Sequence, residues 1–410
     1  MSKVIVIGGG PAGCLAAATA ARNGHEVTLL ERNAKIGRKL MITGKGRCNL
    51  TNACPDEKEV IEHIPVNGRF LFGAFSQFMT YDTMSLFEEL GVPLKVERGD
   101  RVFPVSDKSV DIVDALLKYV KDSGVRIVFS ARVNSLEALP DSTFKIACEG
   151  GKSFTADKVI LATGGASYPA TGSTGDGYDL SSSLSHTVVT PTPSLVPIES
   201  NDPCCKQMQG LSLKNVEIRI IDSKSGKAIY KDFGEMLFTH FGVSGPTILS
   251  ASSHIRTMVD GQYTLSIDLK PALEEEKLDY RVRRDFLENP NKDFQNSLGG
   301  LLPSKMIPVV VEKTGIEPTK KVNQLTKQER QALVYTLKNF QISLSKFRPL
   351  DEAIITSGGI DTKEINPKNM ESKLVPGLFF AGEIIDVDAY TGGFNLQIAF
   401  STGYLAGTSV

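Results

Sequence analysis

The chain opens on an unbroken apolar run, Val4-Ile5-Val6-Ile7, and nears its end on another, Leu378-Phe379-Phe380-Ala381. Apolar at every position, such runs predict strands buried on both faces of a parallel sheet. The first leads into Gly8-Gly9-Gly10-Pro11-Ala12-Gly13 and then into Leu15, Ala16 and Ala20, on a helix predicted over residues 11–23. Gly24 stops that helix, and Glu26-Val27-Thr28-Leu29-Leu30-Glu31 reads as the second strand of a βαβ unit. Helices predicted near residues 84–90 and 110–123, and strands at 125–129 and 158–162, continue the alternation.

After Thr190 the pattern changes. Pro191, Pro193 and Pro197 mark a crossing, and short β-like runs follow at residues 216–221 and 263–269. A charged, helix-compatible block covers residues 271–302, and the chain turns strand-like again near 340–347 and 352–356. The simplest arrangement is an insertion, residues 191–348, between two pieces of one α/β domain. There is no internal repeat or heptad pattern to suggest otherwise.

Composition narrows the function. With 410 residues, 41% hydrophobic and 23% charged, the chain suits two or three globular domains. Forty-six basic residues against 47 acidic ones leave a net charge of −1, so no nucleic-acid partner is expected. No apolar stretch is long enough for a signal core or a bilayer span, so a cytoplasmic protein without a membrane partner is expected. The six cysteines are scattered without zinc spacing, and no metal is expected.

The glycines carry the chemistry. In Gly8-x-Gly10-x-x-Gly13, one glycine permits the turn, one lets backbone approach a pyrophosphate, and one lets helix pack on strand. The helix start at Pro11 and Ala12 offers free N–H groups and a positive dipole end. Glu31 can accept from both ribose hydroxyls and would repel a phosphate there, which disfavours NADP at this site. At the other end, Ala381-Gly382-Glu383 follows a buried strand, and Thr391-Gly392-Gly393-Phe394-Asn395-Leu396-Gln397 reads as a turn opening a helix. A helix N-terminus at a flavin's pyrimidine edge would stabilise the anionic reduced ring. The two ends together read as halves of one FAD site.

Three blocks occur in order: Gly44-Lys45-Gly46-Arg47-Cys48-Asn49-Leu50-Thr51-Asn52, Leu237-Phe238-Thr239-His240-Phe241-Gly242-Val243-Ser244-Gly245-Pro246, and Phe379-Phe380-Ala381-Gly382-Glu383 with Tyr390-Thr391-Gly392-Gly393-Phe394-Asn395. On these the chain resembles, over essentially its whole length, the bacterial aminoacetone-oxidase-like FAD family that includes the BaiN and YhiN flavoproteins. The resemblance implies an α/β fold with a discontinuous Rossmann-like FAD-binding domain (1–190 and 349–410) of the glutathione-reductase superfamily. It adds a β-barrel-like insertion (191–270 and 307–348) and a small helical subdomain (271–306). It also implies that Gly8, Gly10, Gly13, Glu31 and Arg32 surround the ADP half of FAD. Lys39 and the loop of Gly44, Gly46, Arg47, Cys48 and Asn49 would lie along the phosphates and flavin ring, and Val133 would meet the adenine through its backbone. Ala162-Thr163-Gly164 would be a second cofactor motif. Gly382, Glu383, Gly393, Asn395, Leu396 and Gln397 would surround the ribityl and pyrimidine end. The superfamily's usual Gly-Asp is Gly382-Glu383 here, which keeps the carboxylate.

Candidate reacting side chains are fewer. Cys48 and Cys54 have five residues between them, against four in flavin disulfide reductases, which counts against thiol chemistry. Cys204 and Cys205 are adjacent, a spacing that suits structural thiols better than a bridge. His240 could face the flavin as a proton donor or hydrogen-bond its own loop, with the loop weighing more. Tyr390 is a candidate wall of the substrate pocket. Arg101 could bind a carboxylate or close a salt bridge, with the exposed pair as the default. No second GxGxxG follows a later strand, so NADH or NADPH would act as a transient reductant without a domain of its own. The expected activity is FAD-dependent hydride transfer with a small-molecule substrate. It would be either NAD(P)H-dependent reduction of an activated C=C, as in unsaturated oxo-steroids, or oxidation of an amino-ketone such as aminoacetone. A flavin-bound redox sensor or assembly protein and a tRNA-modifying flavoprotein are the alternatives.

Overall fold

The first apolar run is β1 (Lys3–Ile7), the central strand of a five-stranded parallel sheet. Its neighbours are β2 (Glu26–Leu30) on one side and Lys158–Leu161 on the other, with Arg126–Val128 and Leu378–Phe380 at the edges. Between β1 and β2 runs α1 (Pro11–Arg22), whose residues 12–20 are all buried. Strands flank β1 on both sides, so its carboxyl end is a topological switch point, where open α/β sheets hold ligands. The computed structural model describes residues 1–255 and 257–410.

The last strand joins this sheet in register, Ile160 opposite Phe379, and so brings the end of the chain beside its beginning. The C-terminal helix (Phe394–Ser409) then crosses α1. A Cβ on Gly403 would sit 2.3 Å from the Ala12 carbonyl oxygen, and one on Gly407 would sit 2.4 Å from that of Ala16. Two glycines four positions apart therefore let the two backbones touch.

The chain divides into two units, Met1–Ser194 with Pro349–Val410, and Leu195–Arg348. The break falls at Ser194 and not at 190. The strand Val188–Ser194 pairs with Ile355–Ile360 inside the first unit, absorbing Pro191 at a register shift and pairing Pro193 with Thr356. The second unit holds a seven-stranded antiparallel sheet, in the order Phe340–Leu344, Tyr263–Asp268, Ser212–Asp222, Lys227–Phe238, Gly242–Ser244, Ile198–Glu199, Lys346–Phe347. This is the β-rich insertion, but among the described residues its edges do not pair and no barrel closes.

The helical part runs past residue 306. Ile307–Thr314 and Lys327–Lys338 are helices, the second opened by a reciprocal capping box between Thr326 and Glu329. Val310, Leu333 and Leu337 share a buried cluster with Leu265 and Ile342 of the sheet, so helical spacing won where β structure was expected. No helix among the described residues is long and apolar enough to cross a membrane.

Two features of the first unit are testable. Gly407→Val drives a branched side chain into the α1 backbone. The expected cost is on the order of 2 kcal/mol or more, read as a lower denaturation midpoint. His186 is 4% exposed, with Nε2 2.8 Å from Ser372 Oγ and its ring edge-on to Phe380. Burial holds its pKa below that of a free imidazole. The unfolded chain therefore takes up this proton more readily, and stability is lost as pH falls below about 6.5. Urea midpoints should decline over that range in the wild type and decline less in His186→Gln.

Candidate active site

At the carboxyl ends of these strands lies a cavity of about 1290 Å³ of empty space, its open mouth included, walled by residues from both ends of the chain. On the amino-terminal side, Gly8 adopts φ +110° and donates its N–H to Leu30 at 2.9 Å. A Cβ on Gly13 would fall 1.9 Å from the Gly8 carbonyl oxygen, so Gly13 seats α1 against β1 and does not wall the cavity. Gly10 differs, because a Cβ there would meet nothing within 4 Å. It is the N-cap of α1, which has no side-chain cap and no acid in its first turn. The N–H groups behind Pro11 and Ala12, both in the wall, are left for a ligand.

Glu31 lies in the same wall but is already engaged. One oxygen accepts from the Gly9 N–H at 2.8 Å, and the other accepts from the Asn33 N–H and side-chain amide, each at 2.7 Å. Beside it, Arg32 and Arg132 share Asp176 at 3.0 and 2.7 Å. The Arg132 hydrogen bond holds Asp176 below the usual carboxylate range. Val133 completes this end of the wall.

The carboxy-terminal side contributes Gly382, Glu383, Asn395 and Leu396, with Ala162, Thr163 and Gly164 between the two sides. Gly382 adopts φ +79°, and a Cβ on it would press to 2.8 Å of Ala12 Cβ. Lys39 Nζ lies 2.7 and 2.9 Å from the two Glu383 oxygens and donates to Ser167 Oγ at 2.7 Å. The Thr356 N–H donates to Glu383 at 3.0 Å. Asn395 closes its own turn, accepting from the Ala389 N–H at 2.9 Å and donating to the Ala389 carbonyl at 2.7 Å. The helix behind it starts at Gly393, φ +100°, again with no side-chain cap and no acid in the first turn.

Other expected residues stand outside the wall. Gln397 is fully buried and accepts from Thr51 and Thr83 while donating to Phe78 and Ser401. Residues 395, 396 and 399 share the cavity face of the helix, and 397 turns inward by the helical period. Arg47 is held by Glu97 and Asp107. Gly44 and Gly46 carry left-handed turns at φ +57° and +84°. Asn49, with its amide set to satisfy its neighbours, accepts from the Gly393 N–H at 2.9 Å.

Cys48 is buried at φ +60°, and burial pushes its thiol up to about 12, so little thiolate exists near neutral pH. All six cysteines are free. Tyr390 is half-buried and donates its N–H to the His63 carbonyl at 2.9 Å. His240 belongs to the Leu195–Arg348 unit, exposed between Lys227–Phe238 and Gly242–Ser244 with its ring edge-on to Phe241.

Also in the wall, and not expected from the residues, are Asn33, Ile354, Ile355 and, from one loop, Thr171, Gly172, Ser173 and Asp176. The Gly172-x-x-Gly175-Asp176-Gly177 spacing was the available signal. Asp176 does open a helix, Asp176–Ser183, but no strand precedes it directly.

The wall fits FAD. Backbone is bared at Gly10, two helix N-termini lack caps, and Thr163 Oγ1 is buried without a hydrogen-bond partner among the described residues. Such donors suit a diphosphate and a polyhydroxylated chain. Removing the Lys39 cation strands a half-buried carboxylate in this wall. Lys39→Met is expected to weaken FAD retention roughly ten-fold, read by titrating apoprotein, and adding Glu383→Gln should restore part of the loss.

Comparison with known proteins follows the same lines. The HI0933-like protein Rossmann domain family matches residues 2–409. A 3-dehydro-bile acid delta(4,6)-reductase of Clostridium scindens is 31% identical over 99% of this chain and 98% of its own. A ribosomal RNA dihydrouridine synthase of Escherichia coli is 29% identical over 98% of this chain and 96% of its own. Among solved structures, the 3-ketosteroid delta1-dehydrogenase of Sterolibacterium denitrificans shares the fold, with TM-score 0.51 at 11% identity over 99% of this chain and 98% of that one. The chain belongs to the HI0933-like family of Rossmann-domain flavoproteins and is an FAD-dependent oxidoreductase.

Proposed function

We propose that this protein reduces a ring carbon–carbon double bond conjugated to a carbonyl, with NADH or NADPH as the transient reductant. One observation carries the proposal. Two relatives matched over nearly their whole length are named for different substrates, a 3-dehydro-bile acid and ribosomal uridine, yet both names describe reduction of such a bond. In an oxo-steroid and in uracil alike, the carbonyl accepts the electron pair while hydride adds to the β carbon and a proton to the α carbon. FAD, when bound, supplies the hydride.

The chain's own residues do the rest. The bared backbone at Gly10 and the starts of α1 and the C-terminal helix hold the cofactor's anionic groups. Leu40, Ile354, Ile355 and Leu396 make the wall apolar and exclude water. Tyr390, in the same unit as the cavity, is the proposed proton donor. The reductive direction is preferred to oxidation of aminoacetone because both named activities are reductions.

A second substrate, uridine within RNA, is supported by the Escherichia coli relative. It is also supported by a charge asymmetry that the near-neutral total conceals, since residues 195–348 hold 22 Lys and Arg against 18 Asp and Glu.

The test is anaerobic. NADH or NADPH is expected to bleach the bound flavin, and an oxo-steroid enone or a uridine-containing ribosomal RNA transcript to restore its colour. A flavin that neither nucleotide bleaches, but that aminoacetone reduces with peroxide release in air, would reverse the proposal.

A further inference from the structure

Two guanidinium groups share the Phe103 ring, and only one of them is neutralised. Arg47 Cζ lies 4.2 Å from the ring centroid, and Glu97 and Asp107 take its N–H groups. Arg101 Cζ lies 5.8 Å from the same centroid, and its Nε donates to the Arg98 carbonyl at 2.9 Å. No carboxylate pairs with Arg101 among the described residues. The nearby acids Glu97 and Asp107 are held by Arg47 and Lys95, and Asp100, exposed and next to Arg101 in the chain, makes no ion pair with it among the described residues. The ring contact and the Nε bond hold this guanidinium in place while its outer fork stays unspent. Arg98 and Lys45 are exposed and also lack an ion pair among the described residues, and a Cβ on Gly44, preceding Lys45, would lie 3.4 Å from the Phe103 ring.

This cationic turn is fastened to the cavity. Asn52 Nδ2 donates to the Gly99 carbonyl at 3.1 Å and to the Gly392 carbonyl at 3.2 Å. The Ala53 N–H donates to the Asp100 carbonyl at 2.6 Å. Gly392 precedes the N-cap of the C-terminal helix, whose Asn395 and Leu396 line the wall. No residue of the turn lines the cavity, but a short hydrogen-bonded path joins it to the segment that enters the wall at Asn395. Arginines kept only for solubility need neither an aromatic ring nor a fixed Nε.

We propose that Arg101, flanked by Arg98 and Lys45, binds an anionic oxygen group, carboxylate or phosphate, carried by the substrate away from its reacting ring. The assignment rests on the cavity being where substrate meets cofactor. A planar fork takes two oxygens of either group bidentately, and a place outside the wall but tied to it leaves the cavity to the reacting ring.

The test uses the FAD-loaded protein and two matched pairs of probes. One pair is a Δ4-3-oxo-steroid carboxylic acid and its methyl ester, and the other is a 5′-phosphorylated oligouridylate and uridine. Binding is read from the perturbed absorbance of the bound flavin and so does not depend on turnover. In at least one pair the anionic member is expected to bind roughly ten-fold tighter than the neutral one, and that pair identifies the source of the anion. Arg101→Gln should abolish the preference, leaving the neutral member's affinity and the FAD content unchanged, and Arg101→Lys should keep part of it. No perturbation, no charge preference in either pair, or a preference that survives Arg101→Gln would overturn the assignment. Turnover of the methyl ester or uridine by the same variant tests the reductase reading separately.

Discussion

The cavity depends on how closely α1 and the C-terminal helix approach. Helices normally pack with side chains between them, at axial separations of roughly 8–10 Å. Here Gly403 and Gly407 present no side chain, and the Ala12 and Ala16 carbonyls lie where a Cβ would have been. Parallel pairing of Leu378–Phe380 with Lys158–Leu161 delivers the last segment to the right edge of the sheet. As a result, the starts of two helices some 380 residues apart in the chain face one space.

That arrangement has an electrostatic consequence. Each helix start carries a partial positive charge and unspent N–H donors, and neither is capped by a side chain or followed by an acid. Unspent donors at two such ends suit an anionic ligand. The protein holds its own charges in place around them. Lys39 and Glu383 satisfy each other, and Asp176 sits between Arg32 and Arg132. Ligand binding of this kind stabilises the folded chain by mass action, so cofactor and fold support one another.

Hydride transfer by a bound flavin then needs little more from the chain than position and dryness. Relatives named for a bile-acid derivative and for ribosomal RNA share this architecture at about 30% identity. Such a spread is physically reasonable if the cavity recognises the conjugated carbonyl and a separate surface recognises whatever the ring is attached to. The cationic turn at Arg98 and Arg101 would be one place where that second recognition is written.

Much of this was legible in the residues themselves. Gly8, Gly10 and Gly13, the acid at Glu31, and the apolar runs at Val4 and Leu378 announce a nucleotide fold because turn geometry and strand burial are local demands. The C-terminal motif was legible for the same reason, since Gly392-Gly393 before a helix suits few other purposes. The sequence could not show that Gln397 faces inward or that Glu383 is taken by Lys39, because those depend on which side of a helix meets which neighbour. The helices at 307–314 and 327–338 fell inside the part assigned to the β-rich insertion, although Thr326-x-x-Glu329 before Lys327–Lys338 is itself a helix-start signal. The chain by itself determined the kinds of element and the cofactor class, which follow from local backbone constraints. Tertiary structure alone decided which donors remain free in the cavity, because a hydrogen bond to a distant segment leaves no mark on the spacing of residues.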